Sequence, residues 1–290
     1  MVVYLKLLLT ALFWGGTFIA GRLLSRDVGP FSAAFLRFAV ASSLLLILTG
    51  WKEKGLPRIN KSQLARLILL GMTGVFAYNV FFFKGLQLIS AGRASLIIAN
   101  NPVFITLFAA LIFREKLSWI KAGGILLSVT GAMVVISRGD PAWLLSGSIG
   151  RGEILILGCV ASWVTYSLIG KAIMKDLSPL VSVSYSSLIG TAVLLVPALF
   201  EGMAAEITRY SPVSWVSISY LGVFGTVVGF VWYYEGIKAL GPTRAGQFIN
   251  FVPVCAILLA FFILGEPVTR SLLVGAALVI SGVSLTNMKS

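Results

Sequence analysis

The sequence predicts an all-α integral membrane fold, with ten transmembrane helices arranged as two inverted five-helix repeats. Three observations carry that expectation. First, 58% of the 290 residues are hydrophobic and only 11% are charged, with a mean hydropathy of +0.97, a balance that ordinary soluble domains do not show. Second, the chain repeats itself. Residues 70–131 slide forward by 151 positions onto 221–282 without a gap, and seventeen of the sixty-two positions are identical. The identities fall on residues that shape the backbone or carry charge: Gly71 on Gly222, Gly74 on Gly225, Gly85 on Gly236, Arg93 on Arg244, Pro102 on Pro253, Glu115 on Glu266, Gly131 on Gly282. An earlier block matches at an offset of 149, pairing Trp14 with Trp163, Gly21 with Gly170, Arg22 with Lys171 and Pro30 with Pro179. The expected units are therefore residues 1–140 and 150–290. Third, five crossings per unit is an odd number, so the second copy has to enter the membrane from the opposite side.

Ten apolar runs are long enough to cross a hydrocarbon core: 4–24, 31–51, 64–84, 92–113, 118–137, 153–173, 180–200, 213–235, 244–264 and 269–287. The first resembles a secretory signal, with Lys6 near its start and small residues near its end. Because it matches 153–173, which lies mid-chain, a retained helix is expected instead. Most links are short, which leaves no room for a soluble domain. The chain carries 23 basic and 10 acidic residues, a net charge of +13. In a soluble protein that excess would suggest nucleic acid. Here the bases sit in short links between apolar runs, where topology accounts for them, and no nucleic-acid partner is expected. With the N-terminus inside, fourteen Lys and Arg fall on the cytoplasmic side and nine on the other. Both termini are expected in the cytoplasm, with the 52–66 link as the strongest anchor.

Several chemistries lack their parts. The chain has no histidine, so the usual general base and the commonest metal ligand are missing. No nucleophile and base can be assembled, and neither a catalytic residue nor a metal or other cofactor is expected. Cys159 and Cys255 lie inside apolar runs and read as packing residues. No glycine loop ending in Lys-Ser or Lys-Thr is present to cradle a nucleotide.

What remains is a solute site. Inverted halves place such a site near the bilayer midplane and expose it to each side in turn. Pro102 and Pro253 fall mid-helix at matched positions, where each removes a backbone hydrogen bond and frees a carbonyl, of Ile98 and of Ile249. They are expected as hinges. Asn101 and Asn250 lie beside them, with Gln247 one turn earlier in the second copy, and amides at that depth face the bundle interior. Lys84 closes the third helix after Tyr78 and Asn79, and its match, Glu235, closes the eighth. These opposite charges suit the two ends of an amino acid, although helix-end snorkelling explains them as well. Trp14, Trp163 and Tyr166 add aromatic faces for planar apolar solutes or organic cations. Glu115 and Glu266, in tight links, are expected to accept hydrogen bonds from amides at the start of the next helix or to pair with a base. Gly123, Gly124, Gly131, Gly275 and Gly282 fit close helix packing, within one half or against a second protomer. Monomer and homodimer both stay open.

Ten spans in two halves, with the Asn101-Pro102-Val103 and Val252-Pro253-Val254 turns followed by Glu115 and Glu266, resemble the drug/metabolite transporter superfamily. Within it the chain is similar to the ten-helix exporters with paired EamA domains, and to their aromatic amino-acid branch. The resemblance implies a secondary transporter that moves small metabolites out of the bacterial cytoplasm across the inner membrane. Aromatic and neutral amino acids are the expected substrates. Organic cations, sugar phosphates or nucleotide sugars, and a channel are the alternatives. Sugar phosphates rank low, because only Lys84 stands out as a cavity base.

Overall fold

The computed structural model describes residues 1–113, 118–140, 142, 149–173, 177–240 and 242–287. Among them every regular element is helical. Eight helices are long and apolar enough to cross a membrane: α1 (Val2–Asp27), α2 (Pro30–Lys52), α3 (Lys61–Leu88), α4 (Ala91–Ile112), α5 (Trp119–Ile136), α6 (Arg151–Gly170), α7 (Pro179–Phe200) and α8 (Pro212–Ile237). Two shorter apolar helices follow, α9 (Phe251–Leu264) and α10 (Arg270–Thr286). The starts are written in the sequence. Pro30, Pro179 and Pro212 open α2, α7 and α8 in the first turn, where the missing N–H has no helical partner anyway. Asn60 and Gln63 cap each other reciprocally at the head of α3.

Pro102 and Pro253 do more than kink their helices. The first stops as Ala91–Ile98, turns at Ala99 and Asn100, and restarts as Asn101–Phe113. The second stops as Pro242–Ile249 and restarts at Phe251. Each proline thus sits in the first turn of a new helical segment, where its ring is tolerated. A second pair of irregularities had no sequence signal of its own. Both α3 and α8 widen into π-helix, at Gly71–Ala77 and Val223–Val228, and the two stretches correspond under the 151-residue shift.

Packing follows the same correspondence. α3 lies against α6 and α7, while α8 lies against α1 and α2. A methyl group at Gly71 would sit 2.8 Å from the carbonyl oxygen of Ser186, and one at Gly222 would sit 3.0 Å from that of Arg37. Residues 37 and 186 are 149 apart, so two equivalent glycines press on two equivalent backbones. α5 runs along α10 with glycine on both sides. A methyl at Gly124 would meet the Gly282 carbonyl at 2.7 Å, and one at Gly131 would meet the Gly275 carbonyl at 2.9 Å. Without side chains between them the backbones touch, the closest approach that helices make in a lipid-facing bundle. These two helices therefore pair across the halves within one chain.

Both ends of the bundle carry polar ties. At the end where α2 begins, the Glu201 carboxylate accepts from the amides of Phe31 (3.3 Å) and Ser32 (2.7 Å), capping α2. Glu266 accepts from the amides of Ala91 (2.8 Å) and Gly92 (3.1 Å). Glu266 therefore caps α4, in the other half of the chain, rather than the helix that follows it in sequence. Its match, Glu115, lies outside the described residues. Arg93 pairs with Glu153 at 2.6 Å and also donates to the Ile136 carbonyl at 3.1 Å, where α5 ends. Asp27 accepts from the hydroxyls of Ser211 and Ser214 at 2.9 and 3.1 Å, and Arg22 donates to the Leu86 carbonyl. The opposite end is tied more sparsely, by Lys6 to Glu235 and Ser178 to Glu53, both at 2.7 Å.

Candidate functional site

A cavity opens where α2, α3, α6, α7 and α8 meet. Its walls include Arg37, Gly74, Tyr78, Asn79, Trp163, Tyr166, Ser186, Ser187, Thr226 and Phe230, and its free volume is about 50 Å³. That space holds a few waters or one carboxylate group. A whole amino acid enters only if the surrounding rings move apart.

Arg37 dominates the site. It lies seven residues into α2, about 10 Å from the helix start, and only 8% of it is exposed. Its Nη1 donates to Asn79 Oδ1 at 2.9 Å, and its Nη2 reaches Thr226 Oγ1 at a long 3.4 Å. Its Nε has no partner among the described residues. The two residues that grip it come from α3 and α8, the helices whose π-turns correspond under the 151-residue shift. Thr226 donates to the Leu221 carbonyl, five residues back, at 2.9 Å, a carbonyl that the widened turn leaves within reach. Asn79 donates its amide to the Val75 carbonyl at 2.8 Å, which turns its oxygen toward the guanidinium.

The other wall is aromatic. Trp163 stacks on Tyr166 with centroids 5.2 Å apart and lies 5.6 Å from Tyr78 and 6.5 Å from Phe230. Gly74 makes room for the Tyr166 ring, which lies where a side chain at 74 would go. Such tilted and offset ring pairs leave faces available to a flat solute.

Of the residues singled out from sequence, Tyr78, Asn79, Trp163 and Tyr166 come together here. The rest do not line this cavity. Trp14, matched to Trp163, sinks against α8, where its indole donates to the Gly225 carbonyl at 3.1 Å and packs 5.3 Å from Tyr233. The cause is local. The position matched to Tyr78 is Gly229, and its bare backbone admits the Trp14 ring. Lys84 lies over the Phe31 ring at 5.1 Å, at the end of the bundle where α2 starts. Glu235 is bound to Lys6 at the opposite end, with 44% of its side chain exposed. The two charges therefore do not face each other across a solute. Asn250 donates to Ser284 at 3.1 Å and ties α9 to α10. Asn101 is buried away from the cavity lining, and its Oδ1 has no partner among the described residues. The side chain of Gln247 lies outside the described residues. Pro253 is buried in its helix break, and Pro102 is half-buried in its own.

Arg37 is the charged cavity residue that sequence reasoning missed. Counting it among the nine charges opposite the cytoplasm treated it as a topology marker. Its depth inside an apolar run was the available signal, since an ionisable group there faces a cavity or a partner.

The EamA-like transporter family matches residues 1–137 and again residues 150–288. The chain belongs to this family. It is 30% identical to an uncharacterized transporter of Bacillus subtilis, YyaM, over 97% of this chain and 92% of that protein. It is 31% identical to a probable terminal-alkyne amino-acid exporter of Streptantibioticus cattleyicolor, over 98% of this chain and 93% of that one. A solved crystal structure, 19% identical, superposes with a TM-score of 0.66 over 98% of this chain and 96% of its own, which shows a shared fold. With its apolar helices and this family, the chain is a multi-pass membrane protein of the transporter class.

Proposed function

We propose that this EamA protein is a secondary carrier that exports small amphipathic metabolites, aromatic and neutral amino acids foremost, from a bacterial cytoplasm. In this reading it crosses the inner membrane ten times as two inverted five-helix repeats, with both termini in the cytoplasm. The observation that carries the proposal is the cavity itself. It lies between helices of both copies, with a buried guanidinium at one side and the rings of Tyr78, Trp163, Tyr166 and Phe230 at the other. Similarity along nearly the whole chain to an exporter named for an amino acid supports the substrate class.

Alternating access then has physical parts. The end of the bundle held by Glu201, Glu266, Arg93–Glu153 and Asp27 is the external gate, and its ties must part for release. The glycine seam between α5 and α10 stays closed and serves as the fulcrum. Proteoliposomes loaded with unlabelled phenylalanine should accumulate labelled phenylalanine or tryptophan by counterflow, with saturation. Saturable flux of another solute class with none for any amino acid would refute the substrate assignment. Tags on the two chain ends that report opposite membrane faces would refute the even number of crossings.

A further inference from the structure

We propose that Arg37 is the anchor for a substrate carboxylate, so that the cavity selects solutes with one carboxylate and rejects solutes whose only charge is positive. This deepens the carrier reading and rests on it for the site. The argument begins with charge. All eight acidic residues whose placement is described, Asp27, Glu53, Asp140, Glu153, Glu201, Glu206, Glu235 and Glu266, lie at helix ends or in links. None lines the cavity, and Arg37 makes no ion pair among the described residues. Its two hydrogen-bond partners, Asn79 and Thr226, are neutral. A guanidinium nine-tenths buried without a counter-charge is held at a cost, and an anion entering the cavity relieves it.

Geometry decides which anion. Asn79 takes Nη1, whereas Nη2 makes only a long contact and Nε makes none. The Nε–Nη2 edge of the fork is therefore the under-satisfied one, and two parallel N–H groups on that edge match the two oxygens of a carboxylate once the neighbouring rings move apart. A dianion would bring a second negative charge that no other cation on these walls can meet. The position matched to Arg37 in the second copy is Ser186, a neutral hydroxyl on the same cavity. Charge recognition is thus one-sided. The carboxylate docks on α2, and the apolar part of the solute lies toward Trp163, Tyr166 and Phe230. A zwitterion meets the same anchor, while an organic cation meets a buried guanidinium whose repulsion outweighs what the aromatic faces offer.

The test uses three molecules of one shape on the purified full-length protein in detergent: 3-phenylpropionate, phenethylamine and the neutral 3-phenylpropan-1-ol. Calorimetric titration should show the acid binding most tightly and the amine not at all. Arg37→Gln should weaken the acid by roughly tenfold to a hundredfold and the alcohol by far less, with an intact cooperative melting transition in detergent showing that the variant is folded. Arg37→Lys should recover part of the acid affinity, since it restores the charge without the fork. Amine binding as tight as acid binding, no acid binding to the wild type, or an acid affinity untouched by Arg37→Gln would each overturn the proposal. Proteoliposomes separate the two readings. Arg37-dependent acid binding without flux of any solute leaves the anchor standing and removes the carrier. Flux of phenethylamine with no acid binding removes the anchor and keeps the carrier.

Discussion

Arg37 and Ser186 occupy the same corner of the fold twice over, and they could hardly be less alike. Each lies seven residues past the proline that opens its helix, and each has a matched glycine, Gly222 or Gly71, pressed against its carbonyl. The backbone setting is common to both, but the chemistry is not. Neighbouring pairs diverge in the same way, with Val75 opposite Thr226 and Asn79 opposite Phe230 on the cavity walls. Packing constraints act on the backbone, so both copies keep their glycines. Side chains that face a cavity escape that constraint and have specialised. The charge stands on one copy, one of its two neutral partners comes from each, and Ser186 stays neutral opposite.

The largest effect expected from breaking this comparison comes from placing the cation on both sides. Ser186→Arg should destabilise the protein by about 3–5 kcal/mol, because a second buried charge would face the first without a partner. Adding Arg37→Ser should recover most of that loss, with melting temperature in detergent as the readout. Next come the two glycines. Gly71→Val and Gly222→Val should each cost about 1–3 kcal/mol through overpacking against backbone. Near-equal losses would sharpen the equivalence of the two corners, and a silent change at either one would break it. Glu266→Gln weakens a cap on the first two amides of α4, a loss of about 1 kcal/mol, visible as faster hydrogen exchange near Ala91 and Gly92. Smallest of all, Glu235→Gln should change stability by less than about 1 kcal/mol, since its pair with Lys6 is part-exposed.

Much of the helical frame was legible because bilayer thickness imposes a length on apolar runs and duplication exposes glycine and proline positions. The expected runs at 31–51 and 180–200 fall within one residue of α2 and α7. The π-turns were not legible, because widening a helix by one residue leaves the hydrophobic pattern intact. Prolines marked disruption in the fourth and ninth spans correctly, but not that each helix would stop and restart. Tyr78, Asn79, Trp163 and Tyr166, singled out for polarity or aromatic faces, line one cavity. Lys84 and Glu235 lie at opposite ends of the bundle, as matched positions in inverted copies are expected to, and each is engaged there, over the Phe31 ring and with Lys6, away from the cavity walls. Glu266 was assigned a cap, as the structure has it, but on the wrong helix. Nearness along the chain stood in for nearness in space.

The α5–α10 seam imposes an evolutionary asymmetry. Gly124, Gly131, Gly275 and Gly282 meet through main-chain atoms, so that contact offers natural selection no functional group to exchange. A change in cavity chemistry has to come from positions such as Arg37, Ser186 and the aromatic rings, where one side chain can be exchanged without moving the backbones that the glycines bring together.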